Sequence, residues 1–209
     1  MSDARQAHWD RVYAARPFTQ ASWHQDEPAR SVAIITAAGV GPEASVIDVG
    51  GGASFLVDRL LDKGFRRITV LDVSTQALAA AQARLGERAA AVAWLVEDVT
   101  VWSPPKDAFD LWHDRAVFHF MVADADRRAY VRALNQGLRV GGHLILATFA
   151  LSGPERCSGL PVQRYSQETL PAVLGANFRL LDATPETHVT PSGAAQDFVW
   201  CLFRKTAID

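Results

Sequence analysis

Short apolar runs alternate with stripes of helical period through most of this chain. Ser45–Val49 (SVIDV) is β-branched and runs into Gly50-Gly51-Gly52, which predicts a strand entering a tight turn. Leu56, Leu60 and Leu61 then recur at helical spacing before Gly64, and Ile68–Leu71 predicts a second strand. Leu78, Ala81 and Leu85 place an apolar stripe on a second helix ending near Gly86. Val92–Val96 and Phe109–His113 read as third and fourth strands. Val131, Leu134 and Leu138 mark a helix that Gly141-Gly142 is expected to stop, and His143–Phe149 follows as a fifth strand. After Ser166, a short helix carrying Leu170, Val173 and Leu174 precedes the strand-like runs Phe178–Asp182 and Asp197–Phe203. No helix separates those two runs, so they should pair antiparallel at a sheet edge. The expected fold is α/β: a doubly wound, seven-stranded, mostly parallel sheet with an antiparallel C-terminal pair and helices on both faces.

Two segments break the alternation. Residues 1–30 are polar and aromatic, with His8, Trp9, Tyr13, Phe18, Trp23 and His24, and read as a cap on a single domain spanning residues 1–209. Residues 151–165 are rich in glycine, proline and serine and read as a loop on the substrate side. Composition narrows the classes. The 209 residues are 49% hydrophobic and 21% charged, ordinary values for a globular chain. Lysine plus arginine number 21 against 23 acids, a net charge of −2, which leaves no broad basic face and predicts neither a nucleic-acid nor a membrane partner. Ala89 to Val96 is the longest clean apolar run, well short of the ~20 residues of a bilayer span. Met1-Ser2-Asp3-Ala4-Arg5 carries no apolar leader stretch, so a cytoplasmic protein is expected. Cys157 and Cys201 stand 44 apart, and the histidines lack metal-binding spacing, so no disulfide framework and no metal site are expected.

The chemistry gathers at the strand tips. In an open parallel sheet, ligands bind beyond the carboxyl ends of the strands. Asp48-Val-Gly50-Gly51-Gly52 sits at the first such end. A dinucleotide fingerprint would need a third glycine at position 55, where Phe55 stands. Asp48 also puts a carboxylate just before the turn, which suits a positive charge better than a diphosphate. Asp72, 24 residues on, ends the second strand and can accept two hydrogen bonds from a ribose diol. Asp98, after the third strand, can accept from an adenine amino group. Three acidic tips describe a pocket for a cationic adenosine compound, and S-adenosylmethionine fits that description.

VIDVGGG (46–52), LDVS (71–74), EDV (97–99) and FDLWHDRAVFHF (109–120) resemble the class I S-adenosylmethionine-dependent methyltransferases, over roughly residues 30–205. The resemblance implies a Rossmann-like fold and methyl transfer to a small or medium-sized acceptor, with S-adenosylhomocysteine as product. Asp48 and Gly50, Gly51 and Gly52 would flank the methionine end of the donor. Asp72 with Val73 would meet the ribose, Asp98 with Val99 the adenine, and Asp114 the donor or acceptor side. The frequent third glycine of the family's turn is Ser54 here, and a serine can cap the following helix.

His119, Arg115 and Asp114 are the candidates for catalysis. His119 is placed as a base or acceptor-orienting group, against the alternative that it packs beneath the sheet edge. Arg115 is placed to bind a substrate carboxylate, against an internal salt bridge with Asp114 or Asp48. His113 reads as a core residue. Tyr13 and Trp23, with Trp9, resemble the aromatic N-terminal cover of one methyltransferase subgroup, where ring faces attract a sulfonium and exclude water. The alternative is that they only anchor the segment. Rival functions are a protein lysine N-methyltransferase, which would take a protein acceptor, and a catalytically silent S-adenosylmethionine-binding subunit. A monomer or weak homodimer is expected.

Overall fold

The computed structural model describes residues 2–15 and 17–207. In chain order its elements are α1 (Ser2–Ala15), α2 (Ala29–Ala37), β1 (Ser45–Val49), α3 (Leu56–Asp62), β2 (Arg67–Asp72), α4 (Thr75–Leu85) and β3 (Val92–Val96). β4 (Phe109–Arg115), α5 (Asp124–Gly137), β5 (Leu138–Phe149), β6 (Arg156–Cys157), β7 (Leu160–Pro161), α6 (Thr169–Leu174), β8 (Phe178–Val189) and β9 (Ala195–Lys205) complete it. Seven strands form one sheet in the order β3-β2-β1-β4-β5-β9-β8. The five from β3 to β5 are parallel, while β9 runs antiparallel to both β5 and β8. This is the expected architecture, antiparallel edge included.

Alternation along each strand feeds two cores. Trp112, Leu144 and Leu146 turn to one face, where Phe118, Tyr130 and Leu134 pack against them. Leu111, Ile145 and Ala147 turn to the other, against Leu56, Leu60, Leu78 and Trp200. Every residue of β1 is buried, as a central parallel strand covered on both faces requires. Each such aliphatic side chain contributes roughly 1.5–3 kcal/mol by leaving water.

The strand order reverses between β1 and β4, and the crevice that opens there at the carboxyl ends is where this class of sheet binds ligands. Three boundaries differ from those expected. α5 ends at Gly137 and the chain passes straight into β5 at Leu138. Gly141-Gly142 therefore lies within a strand rather than stopping a helix. Gly141 has a φ of 81°, and a Cβ on Gly142 would come within 2.9 Å of the Arg139 carbonyl, so the pair forms a kink beside the register shift of β4. β8 and β9 are 12 and 11 residues long, extending the expected edge pair into a hairpin that reaches past the sheet. Residues 151–165 are not a plain loop, because β6 and β7 pair there as a small antiparallel hairpin. Pro171 sits in the first turn of α6, where its missing N–H is tolerated.

Candidate active site

The glycine turn opens the crevice. Gly50 and Gly52 take φ of 69° and 39°, a region that disfavours side chains. A Cβ on Gly50 would lie 2.0 Å from Val117 Cγ2, and one on Gly52 would lie 2.7 Å from Asp72 Oδ2 and 2.8 Å from the Tyr13 hydroxyl. A Cβ on Gly51 would meet Asp48 Oδ2 at 2.6 Å. The three glycines thus let Val117, Asp48, Asp72 and Tyr13 pack directly against the turn, and of the three only Gly50 lines the cavity above it. Ser54 accepts from the Leu56 N–H at 3.1 Å, at the start of α3. Phe55 occupies the dinucleotide glycine's position because it packs outward: the Arg84 guanidinium stacks over it at 4.2 Å, with Phe18 and His24 beside it.

A cavity lies over this turn. Val49, Gly50, Asp72, Val73, Asp98, Val99, Arg115 and Val117 form its floor, and Arg5, Trp9, Tyr13 and Trp23 cover it from above. Asp72 and Asp98 reach it as expected. Ser74 donates its N–H to Asp72 Oδ1 at 2.8 Å, but burial dominates and, with Asp48 and Asp10 nearby, pushes the carboxyl up to about 7. Asp98 is closed by protein. Its Oδ1 accepts from the Thr100 N–H and hydroxyl at 2.9 and 2.7 Å, and Arg5 Nη1 pairs with Oδ2 at 3.0 Å.

α1 is held down as a lid by three contacts along its length. Arg5 bridges Asp98 and Asp126. Asp10 accepts from the Ser74 hydroxyl at 2.6 Å at the start of α4. Tyr13 lies half-buried over the glycine turn, and desolvation of its hydroxyl, with the neighbouring Asp72, raises it well above the usual phenol range. Trp9 makes edge contacts with Trp23 and Phe120.

Two other tip acids do not reach the cavity. Asp48 accepts from His113 Nδ1 at 2.7 Å, and His113 Nε2 meets the Ser31 hydroxyl at 3.0 Å, a buried chain that ties β1 and β4 to α2. Asp114 is fully buried and accepts from the Val117 N–H at 2.8 Å, the Phe118 N–H at 3.1 Å and the Tyr130 hydroxyl. It shapes the turn after β4, where Ala116 is forced to a φ of 73°, and does not face the donor or acceptor side. His119 also departs from expectation. Its ring is fully buried between Phe120 and Phe149, and Nδ1 accepts from the Phe149 N–H at 3.3 Å. Burial and the Arg115 charge push it down to about 3, which makes it a weak base, and its ring does not line the cavity. Of the three residues expected to do chemistry, Arg115 alone lines the cavity.

The alternative for Arg115, a salt bridge with Asp114 or Asp48, is absent among the described residues; Nη1 donates instead to the Trp23 carbonyl at 2.7 Å. Residue-by-residue reading missed Phe120, Met121, Cys157 and Leu160, which also line the cavity. Cys157 and Leu160 come from the small hairpin inside the segment singled out for its glycine and proline content. Among the described residues no cluster of side chains could hold a metal ion. None of the helices described is long and apolar enough to cross a membrane.

The residues present fit an adenosine compound bearing a sulfonium. The glycine cradle would admit no Cβ, an acid stands at the ribose position, and aromatic rings cover the centre. Residues 46–142 match the family model described as "Methyltransferase domain". The tRNA U34 carboxymethyltransferase of Shewanella sp. (strain ANA-3) is 30% identical over 128 residues, which is 59% of this chain and 37% of that protein. The chain thus spans little more than a third of the curated relatives it matches. Among solved structures, the Burkholderia thailandensis 1,6-didemethyltoxoflavin-N1-methyltransferase, bound to 1,6-didemethyltoxoflavin and S-adenosylhomocysteine, superposes with a TM-score of 0.73 at 22% identity. That match covers 98% of this chain and 89% of the other. A structure solved in work on converting a disulfide bond into a thioacetal group during echinomycin biosynthesis superposes at 0.78 and 20% identity, covering 97% and 92%. At such identities the likeness establishes the fold.

Proposed function

We propose that the chain is a class I S-adenosylmethionine-dependent methyltransferase, as the methyltransferase-domain match over residues 46–142 supports, and that it methylates a small or medium-sized acceptor in the cavity beneath α1. The observation that carries this reading is one continuous cavity with an acid-lined end at Asp72 and Asp98 and an aromatic end at Trp9, Trp23 and Phe120. When bound, S-adenosylmethionine supplies a methyl carbon already activated by its positive sulfur. The chain's own task is then mainly to hold the acceptor in line with that carbon and exclude water. Asp72 accepts from the ribose diol. Gly50 presents its backbone to the cavity, and Gly52 lets Asp72 and the Tyr13 hydroxyl close on the turn. The ring faces of the lid favour a cation and keep it dry. With His119 a weak base shut in the core and Asp114 committed to the turn, the acceptor brings its own lone pair and no general base is assigned.

The matched curated relative acts, by its name, on a tRNA, which favours a second reading with an RNA acceptor. The near-neutral charge and the closed lid fit it less well. A protein lysine remains the other alternative acceptor. Calorimetric titration with S-adenosylhomocysteine, followed by labelled methyl donor offered with small amines and acids, a lysine peptide and bulk tRNA, separates the three. We expect saturable binding and label in the small-molecule fraction. Asp72→Asn should weaken S-adenosylhomocysteine by about 10- to 100-fold through an ill-matched diol. Label in RNA would replace the first reading with the second, and no binding at all would end both.

A further inference from the structure

Arg115 ends β4 and lines the cavity together with Trp23, Phe120 and Leu160. A guanidinium carries five N–H donors and no acceptor. Nη1 uses one on the Trp23 carbonyl, and the flat face lies 5.3 Å from the centre of the Phe198 ring. Nε and Nη2 are shut off from solvent and have no hydrogen-bond partner. The acids around it are engaged elsewhere: Glu186 accepts from Trp200 Nε1 at 2.6 Å, Asp48 from His113, and Asp114 from the turn. This dry setting pushes the guanidinium down to about 10, still charged at neutral pH.

The two unpartnered nitrogens share one edge of the guanidinium. Their N–H bonds run parallel at a spacing that matches the two oxygens of a carboxylate. Leaving that edge empty costs free energy that a bidentate anion would recover. Trp23, Phe120 and Leu160 line the same side with apolar surface, Trp23 and Phe120 giving it flat rings. We propose that Arg115 holds the carboxylate of the methyl acceptor, making the acceptor a small carboxylic acid with a flat apolar body. Only the name acceptor rests on the methyl-transfer reading; the anion site itself does not. The competing source of the same chemistry is the donor's own amino-acid carboxylate.

Benzoate and its uncharged isostere benzamide are the probes, titrated into the full chain with and without saturating S-adenosylhomocysteine. The expected result is that the loaded protein binds benzoate at least about tenfold more tightly than benzamide. Arg115→Lys keeps the charge but loses the fork, and should weaken benzoate about fivefold. Arg115→Gln should abolish the preference for benzoate over benzamide. Equal binding of the two probes to the unaltered protein, or binding of neither, overturns the proposal without recourse to any variant. A tenfold loss of S-adenosylhomocysteine affinity in Arg115→Gln, with benzoate preference intact, assigns the site to the donor and also overturns it. If S-adenosylhomocysteine fails to bind while benzoate is still preferred through Arg115, the methyl-transfer reading falls and the carboxylate site stands.

Discussion

Aspartates at or just beyond the tips of four parallel strands meet opposite fates. Asp72 and Asp98, on the β2 and β3 side, line the cavity, whereas Asp48 and Asp114, on β1 and β4, are absorbed into the protein. Position within the strand explains the division at the centre of the sheet. Asp48 and Asp114 are next to last in β1 and β4, and Val49 and Arg115, one residue further, reach the cavity. Asp72 is itself the last residue of β2. A shift of one place turns a side chain from the ligand to the scaffold.

The sharpest way to break this contrast is to remove a scaffold acid. Asp114→Ala strands the Val117 and Phe118 N–H groups and the Tyr130 hydroxyl in a dry core. We expect a loss of about 3–4 kcal/mol in urea unfolding. Asp114→Asn, which keeps one acceptor oxygen, should lose less than half of that. A loss below about 1 kcal/mol for the alanine variant would mean that the turn after β4 is held by other contacts.

Asp72 should answer to pH where Asp114 answers to unfolding. Its carboxyl stands at about 7 in the free protein, and a ribose diol donates to the ionised form. Donor binding therefore releases a proton below pH 7 and weakens as pH falls through that value. S-adenosylhomocysteine should bind up to about tenfold more weakly at pH 6 than at pH 8, and Asp72→Asn should flatten the profile. The raised value has the reverse sign for folding. Asp72 contributes most to stability below the ordinary carboxylate range and loses that contribution as pH rises towards 7. A flat binding profile in the parent protein would remove Asp72 from the donor site.

The strand tips, the glycine turn and the edge hairpin were legible in the sequence because each depends on neighbours within a few residues. Ser45–Val49 is a β-branched run that leads into glycine, and nothing distant changes that reading. The fates of Asp48 and Asp98 were not legible, because a partner that decides each lies far along the chain. His113 meets Asp48 across 65 positions, and Arg5 meets Asp98 across 93. His119 misled for a related reason. Its place after the fourth strand suggested a pocket residue, but the turn that Asp114 organises swings the ring under Phe149. The segment 151–165 announced itself by composition, yet the pairing that carries Cys157 and Leu160 to the cavity is a tertiary matter.

Asp98 stands between the two groups of acids, facing the cavity but closed by Arg5, and Arg5→Ala tests which side it belongs to. The ion pairs are partly open to water, with the Arg5 side chain 26% exposed, so stability should change by less than about 1 kcal/mol. Donor affinity should respond more visibly. An adenine amino group that needs Asp98 must now displace the Arg5 guanidinium and lift that end of α1, and the alanine variant removes this cost. We expect S-adenosylhomocysteine to bind the variant a few-fold more tightly, through faster association, in a stopped-flow titration of tryptophan fluorescence. Tenfold weaker binding would place Arg5 among the donor's own ligands. The lid would then be part of the site it covers, and Asp98 would join the scaffold acids of β1 and β4.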